Sequence, residues 1–447
     1  MKFITPSAVR GVVTAPPSKS MTGRALAAAL LSAGVSEIGN PSLCDDGLAA
    51  AAIIDALGAR TDVRGPSQVV PSARARRRRA TGRPCPGIPK HPSENLTLVV
   101  SGTGREALRA VEDALDCRES GLAMRMFTPI TALIAGNTTL AGSGSLRSRP
   151  MEMVESLTAL DVSCTTENGH APILVRGPMK GGHIRTDASV SSQFLSGLLM
   201  ALPLCEKRST VTVSGLASAP YVLMTVELLR LFGVKIDHDN RLEEFVIEGN
   251  QAYRPSVYAV EGDWSGASFL LVAGAIAGSV EVKGLHPASF QADRAIVGVL
   301  ATAGARVKTG HDSISIEAGD LKPFEFDASG SPDLFPPLVA LASSCGGKSM
   351  IHGLRRLTYK ESNRASALCR EFKKLGIRIA AEGDTMEVYG GNVRGAFVDS
   401  HNDHRIAMAC AVAGLRARGE VAISGSACIS KSYPAFFSDL EALVDRS

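Results

Sequence analysis

One pattern recurs six times along the chain, and the unusual charges fall at the same place in each copy. Each copy opens on a short polar anchor, continues through small apolar residues and a Gly-containing turn, and ends in a β-rich stretch. The anchors are Ser18, Ser120, Ser191, Ser265, Asp333 and Asp403. A second helical pattern follows each one, starting at Asp45, Arg149, Pro220, Gln291, Lys360 and Lys431, at offsets of 27, 29, 29, 26, 27 and 28 residues. Self-similarity at so regular a period commits the chain to a repeat architecture, in which no copy can bury its apolar face alone.

Within a copy the first helical pattern is apolar on all sides, as in Ala25–Ala33 and Ala407–Leu415, so it belongs inside a layer. The second is amphipathic, as in Val226–Phe232 and Ser366–Leu375, and covers the outside. Four second helices end in Gly (Gly58, Gly233, Gly304 and Gly376) before a β-branched or small residue, which predicts left-handed caps leading into strands. Alternating stretches follow at Arg241–Gly249, His311–Ala318 and Thr385–Tyr389. The predicted unit is β-α-β-α-β-β, which makes the chain α/β in class (α+β type).

The anchors lie 102, 71, 74, 68 and 70 residues apart. The long first interval carries an insert at about 64–94, rich in Pro and Arg and without hydrophobic period. A basic run of this kind is able to grip nucleic acid, but it lacks interleaved aromatics, and a solvated or disordered loop is the expectation. Three copies precede about residue 258 and three follow. The predicted domains are 16–257, and 1–15 with 258–447, with residues 1–15 lending a strand to the second. The chain then crosses twice between the domains, at a double-crossover hinge, and a cleft there is the expected place for a ligand.

Composition narrows the partners. Hydrophobic residues make up 45% and charged residues 21% of the 447, as in globular proteins. A net charge of +4 gives no reason to expect nucleic acid or a membrane and suits a small anionic substrate. Nine scattered cysteines without a CxxC read as reduced thiols in the cytoplasm rather than a metal site. The first residues, MKFITPSAVRGVVTAPPSKS, lack targeting composition, and no apolar run reaches membrane-spanning length.

The chemistry should lie at the helix starts. An N-terminus offers unpaired N–H groups and about half a positive charge, and so favours anions. Lys19, Arg24, Arg125, Arg149, Lys360, Arg364, Arg405 and Lys431 are expected at such starts. Lone surface cations are usually solvated, but surface charge has no reason to track a repeat. Carboxylates in this field are the second clue. Asp333 reads either as an N-cap or as a base kept ionised by neighbouring cations, and Glu361 adjoins Lys360. Ser191, Ser192 and Gln193 read as a cap or as phosphate donors. Gly346-Gly347-Lys348-Ser349 lacks the first glycine of a P-loop and follows a helix, and Asp403-His404 is only the sixth anchor.

These residues resemble the enolpyruvyl transferase family, in its shikimate-type branch, over essentially the whole chain except the insert. The resemblance rests on PPSKSMTGRA (16–25), SGLAMR (120–125), RSRPM (147–151), SVSSQFLSGLLM (189–200), SAPY (218–221), EGDWSGAS (261–268), PDLFPPLVALA (332–342), KESNR (360–364), DHRIAM (403–408) and KSYPAFF (431–437). Any one motif is weak; ten in order are specific. The resemblance implies two inside-out domains of three repeats each and transfer of an enolpyruvyl group from phosphoenolpyruvate to the 5-hydroxyl of shikimate 3-phosphate, with no metal or organic cofactor. The oligomeric state is not encoded in these motifs, and a monomer is the expectation. The resemblance assigns Lys19, Ser20, Arg24, Ser191, Ser192, Gln193, Ser218, Asp333 and Lys360 to shikimate 3-phosphate, and Lys19, Gly121, Arg149, Gln193, Arg364, Arg405 and Lys431 to phosphoenolpyruvate. Asp333 is the expected base for the hydroxyl, with Glu361 and Lys19 handling the methylene proton.

Some positions depart from the family pattern. Glu119 stands where Asn is common and Leu122 where Thr is, beside Gly121. Ala219 and Leu223 replace a frequent Lys and Asp, and Arg356 a frequent Asn. The branch that acts on UDP-N-acetylglucosamine carries a Cys before its R-P segment, and AGSGSLRSRP at 141–150 has none. A non-catalytic binding protein on this scaffold would have lost its acid–base residues, yet Lys19, Asp333 and Glu361 are present. A catalytic His motif of the RNA 3′-phosphate cyclase type is not found.

Overall fold

The computed structural model describes residues 1–65 and 96–445. The insert expected to be a loop lies outside the described residues from 66 to 95; its first residue, Arg64, ends a strand, Arg60–Arg64. The chain divides into two compact units, Pro17–Val260, and Met1–Pro16 with Glu261–Ser447.

Among the described residues each unit holds three small sheets, and five of the six share one four-stranded plan, while the sheet of Lys2–Ile4, Val421–Ser424 and Phe397–Asp399 has three strands. A first strand runs parallel to the second, which is followed by two antiparallel neighbours. In the second copy Leu115–Asp116 pairs parallel with Gly136–Ala141, next to His170–Gly177 and then Ser163–Glu167. The plan is closed by segments distant in sequence. Val257–Ala259 supplies the parallel strand of the first sheet, against Ala33–Gly39. At the N-terminus Val9–Thr14 does the same for Gly278–Lys283, and Lys2–Ile4 adds an antiparallel strand to Val421–Ser424. Residues 1–15 therefore lend two strands, to two different sheets.

The apolar first helices lie inside their units. In Trp264–Ala277 every residue except Ser265 is buried, and all eleven of His404–Gly414 are buried. Alanine and glycine dominate these helices, and small side chains let a helix be enclosed on every side. The second helices bury one face only. Ala219–Leu231 turns Val222, Met224, Thr225, Leu228 and Leu229 inward, and Arg364–Lys374 turns Arg364, Ala367, Leu368, Glu371 and Phe372 inward. Gly58, Gly233, Gly304 and Gly376 all have φ between +80° and +116°, the left-handed geometry that ends a helix without the penalty of a Cβ.

Four local expectations are corrected. The second element of copy two is a 3₁₀ helix, Glu152–Leu160. Its buried residues Val154, Leu157 and Leu160 recur every third position, the period of a 3₁₀ turn rather than of an α-helix. Ser265 does not open its helix: Asp263 is the cap and accepts from the Gly266 amide at 2.9 Å. Likewise the cap of Gln193–Ala201 is Ser192, and Asp333 lies in the 3₁₀ turn Pro332–Leu334 just before Phe335–Ser343. Among the described residues no helix is long and apolar enough to cross a membrane.

Candidate active site

The starts of the first and second elements meet within each copy, which is why the charges track the repeat. Lys19 Nζ reaches Asp46 at 3.0 Å, and Lys360 Nζ reaches Asp333 at 3.6 Å. The Ser265 hydroxyl donates to Asp293, and Thr225 donates to Ser196 at 3.0 Å. Of the eight cations expected at helix starts, Lys19, Arg364 and Arg405 occupy first turns. Arg24 and Arg125 sit about a turn further in. The remaining three lie outside α-helices: Arg149 follows the 3₁₀ helix Gly144–Ser148, Lys360 precedes the helix Arg364–Lys374, and Lys431 ends the 3₁₀ helix Ser426–Lys431.

In the Pro17–Val260 unit, Arg24 is buried and, among the described residues, its hydrogen bonds go to neutral oxygens. Its Nε donates to Thr225 Oγ1 at 2.8 Å, Nη1 to the Ser20 carbonyl at 3.1 Å, and Nη2 to Ser196 Oγ and the Tyr221 carbonyl at 3.3 and 3.4 Å. Burial pulls this guanidinium down to about 10, against the opposing pull of Tyr221 and Tyr258. A buried cation facing only neutral groups is costly, and an incoming anion near Ser20 would offset that cost. Ser218, the cap of the helix beginning at Ala219, is also buried.

Around Gly121 a second group converges. A Cβ on Gly121 would lie 2.9 Å from Arg149 Nη1, 3.0 Å from Arg125 Nη1 and 3.7 Å from Gln193 Oε1. Arg125 is held by Gln193 Oε1 and by the Pro150 carbonyl, each at 3.0 Å, and the Gln193 amide donates to Ser191 Oγ at 3.2 Å. Two buried guanidinium groups thus face a helix N-terminus that lacks a side chain, the arrangement that suits a phosphoryl group.

The other unit carries the carboxylates. Asp333 Oδ1 accepts from Arg364 Nη1 at 2.7 Å, and Oδ2 from Arg405 Nη2 at 3.0 Å. Arg364 also donates to Glu361 through Nη2, and to buried Asp403 through Nε at 2.8 Å. Burial by itself would raise the Asp333 carboxyl, but Arg405, Lys360 and Arg364 outweigh it and hold the group well below the usual carboxylate range. Lys360 is drawn down to about 8, first by burial and then by Arg364 and Arg356, although Asp333 resists. Arg405 is buried with Nε and Nη1 lacking hydrogen-bond partners among the described residues, so it has donors to spare for a carboxylate or phosphate. Lys431 Nζ donates to the Asn402 carbonyl at 2.7 Å.

Sequence reasoning missed Asp46, Asp293 and the part Asp403 plays. Asp403 caps its helix by accepting from the Arg405 amide at 3.0 Å, and it also takes Arg364 and the Ser362 hydroxyl. Arg364 and Asp403 belong to different copies, so no spacing within a copy points to that contact. Asp293 had a signal: it sits 28 residues beyond Ser265, near the offset that separates every anchor from its second element. Its carboxyl is pushed up to about 7 by burial and then by Asp333, while Arg405 and Ser265 oppose the rise.

The comparisons agree on a family. The EPSP synthase (3-phosphoshikimate 1-carboxyvinyltransferase) pattern matches residues 4–82 and 87–440. A 3-phosphoshikimate 1-carboxyvinyltransferase of Thermococcus kodakarensis is 37% identical over 438 residues, 98% of each chain. One from Halobacterium salinarum is 38% identical over 455 aligned positions, again covering 98% of both. A solved EPSP synthase of Acinetobacter baumannii superposes with a TM-score of 0.77 at 23% identity, covering 99% of this chain and 98% of that one, which speaks for the fold. The chain belongs to the EPSP synthase (3-phosphoshikimate 1-carboxyvinyltransferase) family.

Proposed function

We propose that this chain transfers the carboxyvinyl group of phosphoenolpyruvate to the 5-hydroxyl of shikimate 3-phosphate and releases inorganic phosphate. The observation that carries the reading is the placement of Asp333 between Arg364 and Arg405, with Glu361 on the same Arg364 and Lys360 close by. Guanidinium pairs of this kind hold carboxylates, and the carboxylate they now hold is the one suited to act as base.

In this reading the carboxylate of phosphoenolpyruvate takes up Arg364 and Arg405, and Arg149, Gln193, Lys19, Lys431 and the Gly121 amide region hold its phosphoryl group. Lys19, Ser20, Arg24, Ser191, Ser192, Gln193, Ser218, Asp333 and Lys360 serve shikimate 3-phosphate. As the substrate anion draws Arg364 and Arg405 away from Asp333, the cations that depress its basicity are shared, and its proton affinity rises. Asp333 then accepts the 5-hydroxyl proton while the oxygen bonds to C2 of phosphoenolpyruvate, and Glu361 or Lys19 delivers a proton to C3. Loss of that C3 proton and of phosphate from the tetrahedral adduct restores the vinyl group. The surrounding cations stabilise charge on the departing phosphate, the electrostatic contribution that is usually the largest.

Eight of the nine cysteines are described and all eight are free thiols, seven of them buried. That supports a reducing, cytoplasmic setting, and we read the working species as a monomer. The test is phosphate release from phosphoenolpyruvate with each acceptor in turn. Release with shikimate 3-phosphate is expected, and release only with UDP-N-acetylglucosamine would overturn the proposal.

A further inference from the structure

Glu119 is a departure from the family pattern, and the structure gives it a specific neighbour set. The turn before the helix Gly121–Thr131 places it. Arg118 has φ +50° and its amide donates to Asp116 Oδ1 at 2.8 Å, while its carbonyl accepts from the Ser143 amide at 2.7 Å. The half-buried Glu119 carboxylate is thereby set against the loop that leads to Arg149. One of its oxygens, Oε2, accepts from both the amide and the hydroxyl of Ser145 at 3.1 Å. That same hydroxyl accepts from Arg149 Nη2 at 3.1 Å. Contact is close enough that a Cβ on Gly144 would lie 2.5 Å from the Glu119 carboxyl carbon.

We propose that Glu119 is a positioning residue for the phosphoryl group of the donor: through Ser145 it fixes the guanidinium of Arg149 opposite Gly121. The inference rests on the reading that Arg149 and Gly121 hold that phosphoryl group. Glu119 lies two residues before Gly121, and its other attachment is the loop ending at Arg149, so it fastens both sides of one site together. A hydroxyl is free to rotate, and it keeps a lone pair aimed at Arg149 only if its own proton is committed elsewhere. Glu119 takes that proton. A carboxylate beside an anion site also repels the anion, so the role assigned to Glu119 lies in the acceptor it offers rather than in its charge.

Charge and geometry separate in the variants. Glu119→Gln keeps an acceptor oxygen and loses the charge, whereas Glu119→Ala loses both and Ser145→Ala breaks the link alone. With phosphoenolpyruvate varied at saturating shikimate 3-phosphate, Glu119→Ala and Ser145→Ala are each expected to raise the KM for phosphoenolpyruvate about tenfold. The KM for shikimate 3-phosphate should stay within about twofold in both. The double variant should be no worse than either single change, and Glu119→Gln should restore most of the affinity. The proposal fails if Glu119→Gln behaves like Glu119→Ala, or if the two single effects multiply. It also fails if both KM values rise together with a falling Tm. Arg149→Gln is the reference: an unchanged KM for phosphoenolpyruvate there would overturn the reading of the site itself, whereas a raised value there with a normal Glu119→Ala overturns only the role of Glu119.

Discussion

Gly121→Ala separates the fold from the site. The added Cβ would stand 2.9 Å from Arg149 Nη1 and 3.0 Å from Arg125 Nη1, whereas an unstrained contact needs about 3.5 Å. Each guanidinium must therefore retreat by about half an ångström. Misplacing a positioned group by about 1 Å costs on the order of a hundredfold in rate, so half of that displacement should lower kcat/KM for phosphoenolpyruvate about tenfold, or about 1.4 kcal/mol. The backbone has no objection, because Gly121 is not among the residues with positive φ, and alanine is the better helix former by up to about 1 kcal/mol. The clashing atoms are the free ends of long side chains, which yield before the helix does. Steady-state phosphate release with phosphoenolpyruvate varied, together with a thermal melt, makes the comparison. The expected result is a raised KM for phosphoenolpyruvate with Tm held or increased. A KM within about twofold of the parent, or a Tm that falls together with both substrates' affinities, would refute the reasoning.

Two further outcomes concern pH. Lys360 titrates near 8 in the folded chain against an ordinary value of 10.5, so between those values the unfolded state binds more protons and stability should rise with pH. Over the same window affinity for shikimate 3-phosphate should fall as the ammonium is lost; Lys360→Met should flatten both slopes in parallel melts and binding titrations. Asp293 behaves in the opposite sense: its folded value of about 7 exceeds the ordinary 3.8, so stability falls as pH rises from about 4 through 7. Asp293→Asn should therefore gain more Tm over the parent at pH 8 than at pH 5, and an equal gain at both would show that the carboxyl does not carry the burden assigned to it.

What was legible in the sequence followed from periodicity. The offset between Lys19 and Asp46, or between Asp333 and Lys360, is nearly the offset between anchor and second element, because those starts touch in space. The same regularity made the α/β sheets readable, since each copy must build the strands that cover its buried helix. Contacts between copies were not legible. Arg364 meets Asp403 and Arg405 meets Asp333 across the boundary of copies five and six, and no local spacing encodes that. Periodicity also misjudged Glu152–Leu160, where three apolar residues at intervals of three satisfy a 3₁₀ turn and the amphipathic α pattern is too short to decide. The cations at 149, 360 and 431 were expected on helix starts because the second helices begin nearby. They lie outside α-helices instead, and Lys431 donates from there to the Asn402 carbonyl.

Asp333 is the proposed base for the 5-hydroxyl proton. Its carboxylate engages Arg364 and Arg405, so Asp333→Asn keeps the shape, deletes the base and frees both cations for the donor's carboxylate. A positioned general base contributes roughly 10²–10⁴ in rate. Single-turnover phosphate release by Asp333→Asn, alongside equilibrium binding of both substrates, is the most direct measurement. The expected result is binding held or tightened for phosphoenolpyruvate with turnover reduced at least a hundredfold; near-normal turnover in that variant would contradict the account.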